Sequence, residues 1–380
     1  MSGLNSGRDK VVITGCKHYH PEEVRQGLKE IFKPFGGIEA VINRGQKVLI
    51  KPNLLAAVPP AEAVTTHPLI VQVLVEMIQE AGGKVFIGDS PGNDGQELAH
   101  RVSGLDEVMK KTGAEMLIFE KIQEVESTIS GLKTLPLAAE LDEVDLVINV
   151  GKLKTHSLTG MTGAVKNLFG CVVGGNKKRF HLEHPLPFDF SRLLLGVSLA
   201  VKPAFSVLDA VVGMEGPGPR RGKPRQLGLL MGSPSPVALD TVAAEVLGFS
   251  PDQVTTVAAA RALKLTGAEQ ADIDLVGLSI EEAKVADFDR GPAATGKLSW
   301  LVALFPVAIL RNIFYARRPY PLVNRERCTG CGICREACPT QLIRITDGKA
   351  SIEHYECIRC YCCHELCPQG AIMLVSSPSN

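Results

Sequence analysis

No apolar run in this chain reaches the roughly 20 residues that a membrane-spanning helix needs, so the sequence offers no membrane span. Net charge is missing too. Forty-one Lys and Arg balance 41 Asp and Glu, which argues against a nucleic-acid partner held by bulk charge. Nucleotide fingerprints are absent. No G-x-G-x-x-G joins a strand to a helix, and the G-x-x-x-x-G-K-S/T order of a phosphate loop does not occur. Pro217 and Pro219 spoil the one glycine-rich stretch, Gly213–Gly218, as a helix start. The first residues, MSGLNSGRDK, are polar and do not read as a signal peptide. Cysteine is scarce before position 328, with only Cys16 and Cys171.

Nine of the 11 cysteines lie between Cys328 and Cys367. Eight of them fall in two copies of C-x-x-C-x-x-C-x-x-x-C-P. A zinc ribbon does not explain the third cysteine of each run or the fourth followed by proline. Disulfides would need an oxidising compartment and a short secreted chain. The spacing is that of ligands for two 4Fe-4S clusters, in which the fourth cysteine of each run reaches the other cluster. Cluster 1 then takes Cys328, Cys331, Cys334 and Cys367. Cluster 2 takes Cys357, Cys360, Cys363 and Cys338. Cys362 is out of register and reads as a non-ligand thiol. Ile343, Ile345, Ile372 and Leu374 are expected to cover the clusters, and Asp347-Gly348 to turn a hairpin. Over roughly residues 324–375 the chain resembles the bacterial two-cluster ferredoxins. Thiolate-held clusters suit a reducing interior and an anaerobic or microaerobic setting, so a cytoplasmic location is expected.

Upstream, short apolar runs alternate with helical patterns. Strands are expected at Val11–Thr14, within Gln46–Leu55, and at Lys84–Gly88, Met116–Phe119, Asp145–Val150, Phe205–Val212 and Leu227–Met231. Helices are expected at Pro21–Phe32, Pro68–Ala81, Gly95–Lys111, Phe190–Val201 and Ser235–Leu247. The alternation predicts an α/β fold: a mostly parallel sheet covered by helices on both faces, with a small α+β two-cluster ferredoxin-like domain at the C-terminus. The expected division is 1–288 for the α/β domain, 289–323 for an apolar and basic linker, and 324–380 for the ferredoxin-like domain.

Polar residues gather after the expected strands, where ligands of open α/β sheets bind. Lys51, Asn53, Ser90, Lys152, Lys154, Lys166, Asn167, Asp209 and Glu215 are the candidate binding residues for a small anion. His156 and Asp89 are the candidate acid–base groups. Thr162 is expected to cap a helix whose N–H groups suit a phosphate or carboxylate. Lys177-Lys178-Arg179, with His181 and His184, is expected to be a loop that could close over an anion.

These residues also carry a family resemblance. Lys51-Pro52-Asn53, Gly88-Asp89-Ser90-Pro91-Gly92, Lys152–His156, Thr162–Gly170, Asp209–Gly216 and Pro236–Asp240 resemble motifs of the DUF362 family of prokaryotic proteins, in its subset with a C-terminal ferredoxin module. The resemblance implies a recurrent architecture and names no reaction.

The segment 291–325 has no Asp or Glu and holds the only tryptophan, Trp300. It reads either as a docking linker or, through 297–318, as a peripheral contact with an anionic membrane surface. Two functions remain open. One is a reductase, or reductase subunit, relaying single electrons through the clusters to an anionic small molecule. The other is a non-catalytic ferredoxin-type electron carrier or assembly module whose α/β domain is a platform. Either needs a redox donor or acceptor protein. The module's six basic and six acidic residues in 324–375 suit a fixed partner.

Overall fold

Residues 7–92, 94–291 and 318–376 are described by the computed structural model. The strands of the first part are β1 (Asp9–Gly15), β2 (Lys47–Lys51), β3 (Lys84–Ile87), β4 (Glu115–Met116), β5 (Ile122–Glu126) and β6 (Thr134–Ala138). They are followed by β7 (Leu146–His156), β8 (Gly160–Thr162), β9 (Phe205–Glu215), β10 (Lys223–Ser233) and β11 (Ile273–Gly277). One sheet runs β11-β1-β10-β9-β7-β2-β3-β4, with β8 paired to β7 and β5–β6 a separate hairpin. On the main path only β10 runs against its neighbours. The sheet is therefore mostly parallel.

Both faces are covered, as continuous apolar strands require. Val48 and Ile50 of β2 turn towards α1 (Pro21–Phe32) and α2 (Pro68–Glu80). Leu49, between them, turns to the opposite core with α3 (Pro187–Val201). Val11 and Ile13 of β1 pack under α4 (Pro236–Val246). Each of these four helices starts with proline in its first turn, where the missing N–H would have been unpaired anyway. Ser235 adds a side-chain cap on the Ala238 N–H.

The C-terminal part is small and α+β. It pairs β12 (Tyr320–Val323) with β15 (Ile372–Val375), and β13 (Ile343–Thr346) with β14 (Lys349–Ile352). Two short helices, Ile333–Ala337 and Cys362–Leu366, carry cysteines. Asp347 and Gly348 both have positive φ, the turn that a two-residue hairpin demands. Ile343, Ile345 and Ile372 cover the cysteines. Leu374 does not; it packs with Tyr361 against the α/β core.

Several expected boundaries differ. Gly104, at φ 82°, splits the expected Gly95–Lys111 helix into Gln96–Val102 and Leu105–Thr112. The expected strand at Met116–Phe119 shrinks to Glu115–Met116, because β4 is a two-residue edge paired only to β3. The basic 177–179 stretch is no loop; it belongs to a helix, Asn176–Glu183. Most important, β7 does not end at Val150. It continues to His156 and turns back through β8, so Lys152, Lys154 and His156 sit within a buried strand. The 297–318 segment lies outside the described residues except for Arg318. That guanidinium is buried, donates to Pro185 O and Arg359 O, and lies over the Tyr361 ring.

Candidate functional site

The cysteines fall into two groups. Cys328, Cys331, Cys334 and Cys367 line one small cavity beside Ile345, Ala350 and Ile372. The thiols that Cys334 senses electrostatically are those of Cys367, Cys331 and Cys328. Cys363 senses Cys360, Cys357 and Cys338 most strongly among thiols, and then Cys334. The structure thus brings the residues of each expected set close together. Among the described residues no three His, Cys, Asp or Glu converge on a single-ion position, whereas cubane ligands are spread around a cluster. Backbone N–H groups of Ala350 and Ala371 point at the sulfurs of Cys328 and Cys367, 3.3 and 3.2 Å away. Such N–H···S contacts tune cluster potential. The residues present thus fit two four-iron clusters. Cys362 stands apart from both groups and packs with Cys360 and Ala337.

The polar residues of the sheet are mostly spent on each other. Lys51 Nζ lies 2.7 Å from Asp89 Oδ1, both buried, and Asp89 Oδ2 accepts the Leu54 N–H at 2.8 Å. Lys152 Nζ meets Asp209 Oδ2 at 2.9 Å and Tyr19 Oη at 2.8 Å. Lys154 donates to Asn53 Oδ1 at 2.8 Å and to Val64 O. Burial, then the neighbouring Lys166 and Lys152, push Lys154 well below the ordinary lysine pKa. Lys51, Lys152, Lys154 and Asp209 therefore do not reach out to an anion; each is turned inward onto a protein partner. Glu215 ends β9 beside Arg225, 3.8 Å away, and accepts the Asp289 N–H. It is not part of the cavity described next.

A cavity of about 110 Å³ opens between the sheet ends and the cysteine-bearing helices. Asn53, Asp89, Ser90, Lys166 and Asn167 line it from the α/β side, with Phe169, Lys177 and His181. Ala337, Cys362, Glu365 and Leu366 line it from the cluster side. Asn167 is fixed by Asn53 Nδ2, which donates to its Oδ1 at 2.9 Å, and by its own donation to Asn149 Oδ1 at 2.8 Å. Lys177 donates to Ser90 Oγ at 2.9 Å and to Pro91 O at 3.2 Å; it forms no ion pair among the described residues, although Asp89 acts on it across the cavity. Burial lowers its pKa to about 8. Lys166 has no hydrogen-bond or ion-pair partner among the described residues, and burial lowers its pKa as well. Gly170 must be glycine, because a Cβ there would meet Asp89 Oδ1 at 1.8 Å.

The helix start expected at Thr162 is occupied from within. Thr162 belongs to β8, and the short helix Ala164–Asn167 offers its N–H groups to Asp240. Asp240 Oδ1 accepts from Ala164 at 2.5 Å and Oδ2 from Val165 at 3.1 Å. A Cβ on Gly163 would strike Oδ1 at 2.1 Å. The acceptor at this N-terminus is thus the protein's own carboxyl, and its effect is to hold Lys166 and Asn167 at the cavity.

His156 also departs from its expected role. Its Nδ1 accepts the N–H of Leu158 at 3.1 Å and of Thr159 at 3.3 Å, so the ring proton is on Nε2. Nε2 lies 3.2 Å from Glu365 Oε1. Burial pushes its pKa down to about 4, leaving a neutral ring that ties the sheet to the cluster-side helix and does not line the cavity. Burial opposes ionisation of Glu365, but the imidazole N–H and the Lys166 ammonium overcome it. Glu365 and Leu366 were not among the expected site residues, while Lys177 and His181, expected in a closing loop, reach the cavity from a helix. Glu365 carried a weak signal, as the lone acid in an otherwise apolar CCHEL turn.

Comparison with known proteins gives two domain matches. The model described as "Domain of unknown function (DUF362)" matches residues 48–245, and that of a 4Fe-4S dicluster domain matches 320–368. A curated relative, "Thylakoid-associated protein sll1697" of Synechocystis sp. (strain ATCC 27184 / PCC 6803 / Kazusa), is 35% identical over 256 residues, covering 67% of this chain and 79% of the relative. That name overturns the expected cytoplasmic location. A solved structure, the lactate racemase apoprotein of Thermoanaerobacterium thermosaccharolyticum, aligns with a TM-score of 0.42 and 16% identity. The alignment covers 64% of this chain and 59% of the racemase.

Proposed function

Since this chain belongs to the DUF362 family and carries a 4Fe-4S dicluster domain holding two 4Fe-4S clusters, we propose that it is an iron–sulfur reductase or reductase subunit acting on a small anion bound in the cavity. One observation carries the reading: Lys166, an ammonium that makes no hydrogen bond or ion pair among the described residues, shares a cavity of about 110 Å³ with Cys362, which packs beside Cys360. Cys357, Cys360, Cys363 and Cys338 would hold the cluster on this side. Cys328, Cys331, Cys334 and Cys367 would hold the other. When bound, the clusters supply single electrons at low potential.

The chain's own residues do the rest. Lys166 anchors the negative charge of the ligand, and the Asn167 amide and Ser90 hydroxyl orient it. Lys177 holds a proton at Nζ that it can release near neutral pH, since its pKa lies at about 8. Asp89 acts at one remove, by holding Lys51 and the Leu54 N–H. Leu55, Phe169 and Leu366 keep bulk water from the remaining wall. The relative's name brings a thylakoid-type membrane association to this chain as part of the proposal, and the apolar, basic 297–318 segment is the candidate contact. Among the described residues no helix is long and apolar enough to cross a membrane.

The test uses anaerobically purified full-length protein, dithionite-reduced, with a panel of small carboxylates and phosphate. Binding of one of them should perturb the electron paramagnetic resonance of the reduced clusters in wild type. The effect should vanish in Lys166→Ala while iron content stays the same. If no anion perturbs the spectrum, or Lys166→Ala responds like wild type, the cavity is not the substrate site and the carrier reading replaces this one.

A further inference from the structure

The loop after β9 carries two adjacent arginines into the ferredoxin-like part. Arg220 Nη1 donates to Leu366 O at 3.3 Å, and Arg221 Nη2 donates to Cys367 O. Arg221 lies against Gly370, where a Cβ would meet its Nε at 3.2 Å. Its Nε is buried and finds no acceptor. No carboxylate comes within ion-pair distance of it among the described residues. Cys367, then Glu62, are the negative groups it senses, while Arg220 and Arg327 repel it. A partly buried guanidinium left this way is costly unless a negative charge not belonging to any side-chain carboxylate balances it. The group beside it is Cys367, in the cavity shared with Cys328, Cys331 and Cys334.

We propose that Arg221 is the counter-charge of the cluster held by that cysteine set, supplied by the α/β domain to raise the cluster's reduction potential. A thiolate-held cluster carries net negative charge, and reduction adds one more. A fixed cation beside a ligand stabilises the reduced form more than the oxidised form, because attraction grows with the charge it acts on. The donation to Cys367 O also holds the residue carrying the ligating sulfur, an outer contact of the kind that sets metal-site properties. Potential is thereby coupled to docking: only a module seated on the α/β body has this cation. The inference rests on the cluster assignment and not on the cavity's substrate.

The experiment is a potentiometric titration of the full-length holoprotein, without added substrate, followed by electron paramagnetic resonance. Wild type is compared with Arg221→Gln and Arg221→Lys, and iron and sulfide are quantified in each. Arg221→Gln should shift one cluster to a more negative potential and leave the other near its wild-type value, with iron content unchanged. Arg221→Lys, which keeps the charge, should recover most of the shift. Unchanged potentials in a fully loaded Arg221→Gln protein would overturn the proposal. Equal shifts in the Gln and Lys variants would also overturn it, since the effect would then follow shape and not charge. Because no substrate is present, neither result depends on whether the cavity binds an anion.

Discussion

Asp240→Asn isolates one buried carboxyl that positions the cavity wall. Asp240 is buried within α4, accepts two N–H groups at 2.5 and 3.1 Å and has no cation beside it. Burial outweighs those two donors and raises its pKa from 3.8 to about 7. The sign follows from proton counting. Below 3.8 the proton is bound in both states, and the stabilising contribution is full. Above that, the unfolded chain loses its proton while the folded chain retains it, so stability is lost as pH rises towards 7. Each unit of separation is worth 1.36 kcal/mol. From about pH 5 to 7, a range that spares acid-labile clusters, the contribution should fall by about 2 kcal/mol. Asparagine cannot titrate and keeps one acceptor. Urea unfolding of both proteins under argon, followed by far-ultraviolet circular dichroism, gives the difference in stability at each pH. Wild type should lose about 2 kcal/mol relative to Asp240→Asn across that interval. A difference independent of pH would mean that the Ala164 and Val165 N–H groups keep the carboxylate ionised throughout, and that desolvation has been overrated.

Three further outcomes are expected. Cys362→Ser should retain about eight irons per chain while Cys363→Ser loses a cluster, as read by iron and sulfide analysis; the reverse result would mean the ligand register is shifted by one. His156→Ala should strand the Leu158 and Thr159 N–H groups at about 1–3 kcal/mol each, lowering the urea midpoint without changing iron content. Lys166→Met should raise the melting temperature of ligand-free protein while removing anion binding, because it deletes a desolvated ammonium that forms no ion pair or hydrogen bond among the described residues; a lower melting temperature would show that Lys166 is a structural residue.

Much of the scaffold was legible because local rules act over a few residues. Pro21, Pro68 and Pro236 marked helix starts, Asp347-Gly348 marked a hairpin, and the cysteine spacing marked the clusters. The extension of β7 was not legible. Gly151-Lys152-Leu153-Lys154-Thr155-His156 looks like a polar loop until its partners are known. Asp209, Asn53 and Glu365, which make burial of its three polar side chains tolerable, lie 57, 101 and 209 residues away in the chain. A pattern of alternating charge can signal a half-solvated strand, but nothing local distinguishes solvent from a distant carboxylate as the recipient. The cavity was half legible for the same reason. Its α/β side follows strand ends, as the topology rule predicts. Its other side comes from Ala337, Cys362, Glu365 and Leu366, whose placement depends on how one domain sits on the other.

The pairing pattern itself separates scaffold from site. A buried ion pair adds little net stability, yet removing one partner is severe, at about 3–5 kcal/mol. Lys51–Asp89 and Lys152–Asp209 are such pairs, and each joins elements far apart in sequence. Their value is in fixing geometry: Asp89 holds the loop after β2, and Asp209 holds the His67 backbone at the start of α2. A chain that neutralises these lysines so thoroughly has the means to neutralise Lys166 as well. Glu365 is near enough to affect both Lys166 and His156, but it makes its short contact with the imidazole. Among the described residues, the one ammonium on the cavity wall without a bond to protein is thus the one held in place by the Asp240 clamp and faced by the cluster-bearing helix. It shares the cavity with Glu365 without pairing to it, which is why the anion-binding proposal rests on Lys166 and not on the paired lysines.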